Sequence, residues 1–338
     1  MNKTISTKLT CALTALFTLG SATIILPKGA GGGGAISGLI LSFSIGFILL
    51  PIFRNFDHTT LFSQKTGKIA AVFLCFFALI CAINSAGDFS LVVNRKILSS
   101  ENYFIFSLVF SCLVFLLLKA QKQVVFKISL IFLVLIIFSQ LVLFLLSANQ
   151  FNLNNLKGLA FSGAFTDVIF FFAKCIAPML LLPFIIKYEK STPKGVALGM
   201  LFGFLLILLP LLQVILIFGF SYGASLDFPF LSVLDTVSLG LKFSRLEGLA
   251  YIIFFFGSLI KCAVCLICAK EILDLTFKKP IKHLPLVLSI ILFIVIIFSQ
   301  TVIKFSTLLN WVIAAFALVF ILAAALLKSR THFQYKTR

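Results

Sequence analysis

The segment FPFLSVLDTVSLGLKFSRLEGLAYIIFFFGSLIK, residues 228–261, decides the fold class of this chain. Its first part is amphipathic and leads to Arg245 and Glu247, and an apolar run of membrane length then contains Lys261. A charged side chain near the centre of a membrane helix costs at least ~2.5–3.5 kcal/mol and usually faces a cavity or a partner. The segment therefore predicts a site inside a membrane protein.

Composition supports a membrane protein along the whole chain. Hydrophobic residues make up 61% and charged residues 11% of the 338 positions, and the mean hydropathy is +1.18. A soluble domain would carry about a quarter charged residues. The formal net charge of +18 does not indicate nucleic acid, because the lysines lie in short loops between apolar runs instead of on one basic face. We expect an all-α integral membrane protein.

Runs of membrane length predict about ten helices, since a span needs ~20 mostly apolar residues. The runs lie at 5–26, 35–53, 69–93, 102–118, 126–148, 158–186, 195–219, 247–269, 284–300 and 302–327. If the N-terminus is cytoplasmic, most Lys and Arg residues fall in cytoplasmic segments, so the positive-inside rule predicts both termini in the cytoplasm. The N-terminal residues could pass for a signal peptide, but we expect an uncleaved first helix.

We expect a single membrane domain over residues 1–338. It would divide into a first five-helix half, 1–148, and a second half, 149–338, which includes an outer amphipathic segment, 225–244. Corresponding helices of the two halves would then be the first and the sixth. The eight cysteines all fall within predicted spans and the three histidines in predicted loops or the tail, so we expect no disulfide framework, no metal and no cofactor.

The first and sixth spans both contain residues that interrupt helices. The first contains Gly20-Ser21-Ala22-Thr23 followed by Pro27, and the sixth contains Asp167, Lys174 and two prolines. A helix break in lipid exposes backbone groups, which is tolerated where they line a cavity or a ligand. These features are typical of the discontinuous helices of transporters. The alternatives are an outer turn in the glycine run 29–34 and an ordinary proline kink in the sixth span.

The motifs around residues 228–261 resemble those of a known family. Phe228-Pro229-x-Leu231, Ser238-x-Gly240 and Phe243-x-Arg245-Leu246-Glu247 occur in order before a helix with a lysine, and Gly20 to Gly31 resembles a glycine-bearing first helix ending in Leu-Pro-Lys and Ala-Gly. The chain resembles the spore germination permeases, the GerAB-like B subunits of germinant receptors, in the amino acid–polyamine–organocation superfamily. The resemblance covers essentially the whole chain.

Three positions depart from the family pattern. Gly32 begins a glycine run where the family tends to have Gln-Asp-Ala-Trp, Asp235 stands where an arginine is expected, and Lys174 replaces an acidic residue of the sixth helix. These departures leave the ligand open. They also leave open whether the chain is a receptor subunit or a diverged, transporter-like relative.

The resemblance implies a five-plus-five inverted-repeat fold with a small-ligand pocket near the membrane midplane. It also implies a nutrient ligand such as an amino acid, a large membrane A subunit and a lipoprotein C subunit as partners, and location in the inner membrane of the spore. In such a fold the first, third, sixth and eighth helices surround the ligand.

The candidate ligand-binding residues lie on these four helices. Half-helix N-termini bind carboxylates through free N–H groups, which Gly20, Ser21, Ala22 and Thr23 would offer; the alternative is a tight helix contact. On the third helix, Asn84 would donate to the ligand or to a neighbouring helix.

The intramembrane charges complete the candidate set. Lys174 lies too deep to reach the membrane surface, and we assign it to the ligand site, with Asp88 as one possible partner. Lys261 would either take the place of a coupling cation or form a structural ion pair, for instance with Asp167. We assign structural or gating roles to Pro27, Asp167, Arg245 and Glu247, the last because an acidic side chain suits the first turn of a helix.

Two functions from different classes follow. The first is a germinant-sensing membrane subunit that binds without transporting, and the alternative is a secondary transporter for amino acids or related solutes. A membrane enzyme or lipid-modifying protein is disfavoured, because the sequence shows no clustered His, Asp or Glu at a membrane interface.

Overall fold

A bundle of apolar helices accounts for nearly all of the chain that the structure describes. The computed structural model describes residues 6–20, 22, 32–54, 65–94, 100–156, 164–186, 192–226, 228–236, 247–277, 281–298 and 308–321. Within them the ten helices of the bundle are α1 Thr7–Leu19, α2 Gly32–Arg54, α3 Lys65–Val92, α4 Ser100–Lys119, α5 Lys122–Ser147, α6 Ala164–Phe184, α7 Thr192–Ser225, α8 Glu247–Phe277, α9 Leu284–Ile297 and α10 Leu308–Ile321.

The all-α membrane fold predicted from sequence is confirmed. Six of the ten helices are long and apolar enough to cross a membrane, and α1, α4, α9 and α10 are shorter apolar helices. Each coincides with one predicted span, and the described residues contain no β-strand. The division into two five-helix halves and their inverted relationship remain predictions.

The helices differ in how deeply the bundle encloses them. Over an 18-residue apolar stretch of each span, 83% of the residues of α8 are buried inside the protein, against 72% for α6 and 61% for α3, whereas α5 buries only 33%. The residues of α1 from Ala12 to Leu19 are all buried. The four enclosed helices α1, α3, α6 and α8 are the ones that the family resemblance places around a ligand.

Helix α1 packs closely on α7 through two rows of small residues. Gly195, Gly199 and Gly203 of α7 face Thr10, Thr14 and Thr18 of α1. A Cβ atom at Gly195 would lie 3.0 Å from the Thr10 Cβ, and one at Gly203 would lie 2.9 Å from the Thr18 Cβ. Since small residues let membrane helices approach closely, this contact fixes α1 against α7.

A proline inside α7 explains a polar contact with α5. Pro210 lacks an N–H group, so the carbonyl of Leu206, four residues earlier, loses its helical donor. The Gln140 side chain of α5 donates to that oxygen at 2.9 Å. An unsatisfied carbonyl in a membrane interior is costly, so Gln140 compensates for the proline and joins the two helices.

Helix α7 bends at Gly219, the last residue of the predicted span 195–219. Gly219 has φ 74° and ψ 178°, values that interrupt the helix. The Asn155 side chain donates to the carbonyls of Leu216 and Ile217 at 2.9 and 3.1 Å, and the Asn152 N–H group donates to Leu216 at 2.9 Å. These asparagines satisfy carbonyls that the bend leaves free.

A short helix, Pro229–Thr236, lies inside the predicted amphipathic segment 225–244. It buries Phe230, Leu231 and Val233 and exposes Asp235. Gln150, beyond the end of α5, forms a reciprocal pair with Thr236: its amide donates to the Thr236 carbonyl at 2.5 Å and accepts from the Thr236 hydroxyl at 2.9 Å.

Candidate functional site

The sixth helix changes type where its lysine lies. Helix α6 is an α-helix over Ala164–Phe171, widens to a π-helix over Phe172–Ile176 and tightens to a 3₁₀-helix over Ala177–Phe184. Single π turns inside α-helices occur frequently at functional sites. The irregularity predicted for the sixth span is thus a change of helix type within residues 164–184.

Lys174 lies in the π turn and forms a buried ion pair. Its side chain is 1% exposed and donates to Oδ2 of Asp88 on α3, a residue 5% exposed. Its Nζ atom also lies 4.9 Å from the centroid of the Phe170 ring, within the range of a cation–π contact. Asp88 was one of the partners considered from sequence, and the pair satisfies both charges inside the bundle.

Lys261 on α8 donates to the backbone carbonyl of Lys174. That oxygen is available because its partner in an α-helix would be the N–H group of residue 178, and residue 178 is a proline. Lys261 therefore satisfies a carbonyl that Pro178 leaves free, as Gln140 does for Pro210. An ammonium carries three donors, and this contact uses one of them.

The end of α1 rests on the same lysine. Gly20 follows α1 with φ 41° and ψ −126°, a backbone conformation that residues other than glycine rarely adopt. A Cβ atom there would lie 2.9 Å from Nζ of Lys261 and closer still to its Cδ, and a Cβ at Gly257 would lie 2.8 Å from the Gly20 oxygen. Glycine at both positions lets the end of α1 contact α8 directly.

These contacts form one cluster, which we call the charge cluster and which consists of Gly20, Asp88, Lys174 and Lys261. It joins the end of α1, the π turn of α6, the last turns of α3 and the centre of α8. Among the described residues it holds two ammonium groups and one carboxylate, which leaves one positive charge in excess if all three are ionised. An uncompensated buried charge is costly, so the charge cluster favours an anionic group beside Lys261.

Asn84 lies one helical turn from Asp88 on α3. It is 7% exposed, and its amide donates to Oδ1 of Asn310 on α10 at 3.1 Å. This contact with a neighbouring helix is one of the two roles considered from sequence. A contact between Asn84 and a ligand remains a prediction.

Asp167 is buried but lies outside the charge cluster. It is 0% exposed in the first turn of α6, and neither carboxylate oxygen has a hydrogen-bond partner in the part of the chain that the structure describes. The ion pair between Asp167 and Lys261 considered from sequence is not observed. Asp167 packs instead against Gly38 of α2.

Several predicted site residues fall outside the described residues. Ser21, Thr23, Pro27 and Arg245 are among them, and Glu247 begins α8 with a side chain that is not described. Ala22 is described and fully buried, and its N–H group donates to the Leu19 carbonyl at 3.0 Å. The roles assigned to all of these residues remain predictions.

The glycine–threonine contact and the two carbonyls freed by prolines were not predicted from sequence. Glycines at 195, 199 and 203 and threonines at 10, 14 and 18 share a four-residue spacing that places each row on one helix face, so this signal was available. In an α-helix a proline frees the carbonyl four residues earlier, so Pro178 and Pro210 mark the carbonyls of Lys174 and Leu206. Which neighbouring side chain reaches them depends on the packing of the bundle.

Comparison with known proteins places the chain in a family. The model of the family described as spore germination protein matches residues 4–308. The match covers α1 to α9 and includes every residue of the charge cluster. No curated protein matches the chain.

Proposed function

The chain belongs to the spore germination protein family, and from that premise we propose that it is the membrane subunit of a spore germinant receptor. The family is one of membrane permeases and receptors and not a class of enzymes. In this proposal the subunit binds a small nutrient such as an amino acid near the membrane midplane and signals germination.

The charge cluster is the observation that supports a ligand site. Lysines in membrane spans are rare and usually serve a pathway, a ligand or a partner, and this chain places two of them within one set of contacts. Lys174 is paired with Asp88, whereas the hydrogen bond that Lys261 makes within the described residues goes to an uncharged backbone carbonyl. Lys261 is therefore the residue to which we assign the ligand.

The chemistry of the cluster indicates what part of the ligand Lys261 binds. A carboxylate would neutralise the excess positive charge and accept from the remaining donors of the ammonium, and charge-assisted hydrogen bonds of this kind are roughly twice as strong as neutral ones. An amino acid supplies such a carboxylate, which agrees with the ligand class implied by the family.

A secondary transporter for amino acids or related solutes is the alternative. The observation that favours it is the termination of α1 at Gly20 inside the bundle, since transporter sites lie where spans are interrupted near the midplane. Both functions use the same ligand site. They differ in whether the ligand crosses the membrane.

Assembly and location follow the family in this proposal. The subunit would act with a large membrane A subunit and a lipoprotein C subunit in the inner membrane of the spore, with both of its termini in the cytoplasm. Exposed apolar side chains such as Ile48, Leu145 and Val319 would contact lipid or these partners.

A ligand screen on the purified protein tests the proposal. We expect at least one amino acid to raise the thermal unfolding temperature of the wild type, because a ligand that binds the folded state stabilises it. The shift should be lost in Lys261→Met and retained in the control Lys270→Met, whose lysine lies further along α8. An equal shift of the unfolding temperature in both variants would show that the ligand does not bind at Lys261.

Uptake into reconstituted vesicles separates the two functions. A receptor subunit should bind the amino acid found in the screen without accumulating it. Saturable uptake driven by an ion gradient would establish the transporter instead.

A further inference from the structure

Asp167 is a buried acid for which neither proposed function accounts. It lies in the first turn of α6, is 0% exposed, and has no hydrogen bond to either carboxylate oxygen within the described residues. The nearby Ser42 hydroxyl is engaged elsewhere, within 2.6 Å of the Gly38 carbonyl and 2.9 Å of the Val168 carbonyl. No described donor therefore stabilises an ionised carboxylate at this position.

The helix packed over Asp167 offers it no charge. Small residues of α2 at four-residue spacing, Gly38, Ser42 and Gly46, allow α2 to lie against α6, and a Cβ atom on Gly38 would be 2.6 Å from the Cβ of Asp167. The titratable residue of α2 is Arg54, at the far end of the helix.

The other elements beside Asp167 offer no free charge either. The π turn that continues α6 contributes Lys174, which is paired with Asp88. Helix α10, which approaches through Trp311 at 6.1 Å from the Phe165 ring, has no titratable residue within its described length. Among the described residues, no cation is therefore available to pair with Asp167.

Burial without a partner favours the neutral form of a carboxyl group, because desolvation penalises the charged form. In the packed arrangement of α6 on α2, Asp167 would therefore carry a proton. If the start of α6 separates from α2 and water enters, the group ionises as an ordinary aspartate does. The packed arrangement binds one proton more than the wetted one, so a fall in pH favours packing and a rise in pH favours separation.

We propose that Asp167 is a proton-binding site and that release of its proton separates the start of α6 from α2. The conformational equilibrium at this end of α6, which leads directly to the π turn, then depends on pH. A proton-binding site at Asp167 follows from the contacts of that residue and is independent of whether the protein senses or transports its ligand.

Infrared spectroscopy of the reconstituted protein tests the protonation directly. At neutral pH the wild type should show the carbonyl band of a protonated carboxyl group, and the band should disappear as the pH rises. It should be absent from Asp167→Asn and shifted in Asp167→Glu, and it should persist in Asp235→Asn, in which an exposed aspartate is replaced. A neutral-pH spectrum of the wild type without this band would overturn the proposal. This outcome is measured on the wild type alone and so does not depend on the folding of any variant.

Hydrogen exchange tests the coupling to packing. Exchange rates corrected for intrinsic exchange give the equilibrium constant for opening of residues 164–171. In the wild type this constant should increase about tenfold per pH unit, the slope for one proton, at pH values between the pKa of the solvent-exposed carboxyl and the pKa of the packed carboxyl. Asp167→Asn should remove this dependence and Asp235→Asn should keep it. A pH-independent wild type would show that the proton does not control the packing of α6 on α2.

Discussion

Prolines inside two spans leave backbone carbonyls without a helical donor, and side chains of neighbouring helices donate to them. Pro178 frees the carbonyl of Lys174 for Lys261, and Pro210 frees the carbonyl of Leu206 for Gln140. At this scale the sequence predicts that Lys174 and Lys261 are internal, because a charge in an apolar run must face a partner. It does not predict that Lys261 reaches the backbone of Lys174, since that contact depends on the placement of α8 beside the π turn.

Removal of the Lys261 ammonium should abolish the ligand response and leave membrane insertion intact. Truncation of one partner of a buried charge pair typically costs about 2–5 kcal/mol of binding energy, so the affinity of Lys261→Ala should fall at least tenfold. Equilibrium binding to the purified variant measures this. Loss of the folded protein, instead of loss of binding, would assign Lys261 a structural role.

Gly20→Ala should destabilise the protein, because the new methyl group would meet the side chain of Lys261 at a backbone conformation that favours glycine. Overpacking of this kind typically costs about 1–3 kcal/mol. Thermal unfolding of the single variants and of Gly20→Ala/Lys261→Ala forms a double-mutant cycle, in which the alanine at position 20 should cost less once Lys261 is removed. Strictly additive effects would show that Gly20 and Lys261 do not contact each other.

At the scale of the helices, two contacts fix α7 against its neighbours. The glycine row holds α1, and the Gln140 amide holds α5 at the carbonyl that Pro210 leaves free. The ends of the predicted spans agree with the helices in most places, because hydrophobic length and loop residues determine them. The π turn of α6 was not predicted beyond a general irregularity, since α- and π-helical hydrogen bonding differ little in their sequence requirements.

Gln140→Leu should destabilise the bundle by about 1–3 kcal/mol, the cost of leaving a buried acceptor unsatisfied. The loss should be smaller in a Pro210→Ala background, because alanine restores the helical N–H group that Leu206 lacks. Thermal unfolding of the two single variants and the double variant measures the difference. An equal loss in both backgrounds would mean that Gln140 does not act through the Leu206 carbonyl.

At the scale of the whole molecule, hydropathy predicts the apolar helices, and the orientation predicted from loop charges stays a prediction. The ten apolar helices coincide with the ten predicted spans. They can be predicted because the thickness of the hydrocarbon region requires a run of ~20 mostly apolar residues for each span. The order in which the helices pack does not follow from hydropathy, because all of them are apolar. The enclosure of α1, α3, α6 and α8 was expected only through the family resemblance.

The predicted topology places both termini in the cytoplasm and residue 154 outside, and single-cysteine variants of an otherwise cysteine-free protein test it. In intact cells a membrane-impermeant maleimide should label Asn154→Cys but label Lys336→Cys only after the membrane is opened. Asn154 is exposed beyond the end of α5, which makes it a suitable outer control. Labelling of both variants in intact cells would contradict the topology.

The proposed ligand site depends on one contact, between Lys261 of the charge cluster and the carboxylate of a small nutrient. Calorimetric titration of the purified protein with the amino acid found in the ligand screen, and with its carboxamide analogue, tests this most directly. The amino acid should bind, and the carboxamide, which lacks the negative charge, should bind at least tenfold more weakly. Equal affinity for the two compounds would contradict it.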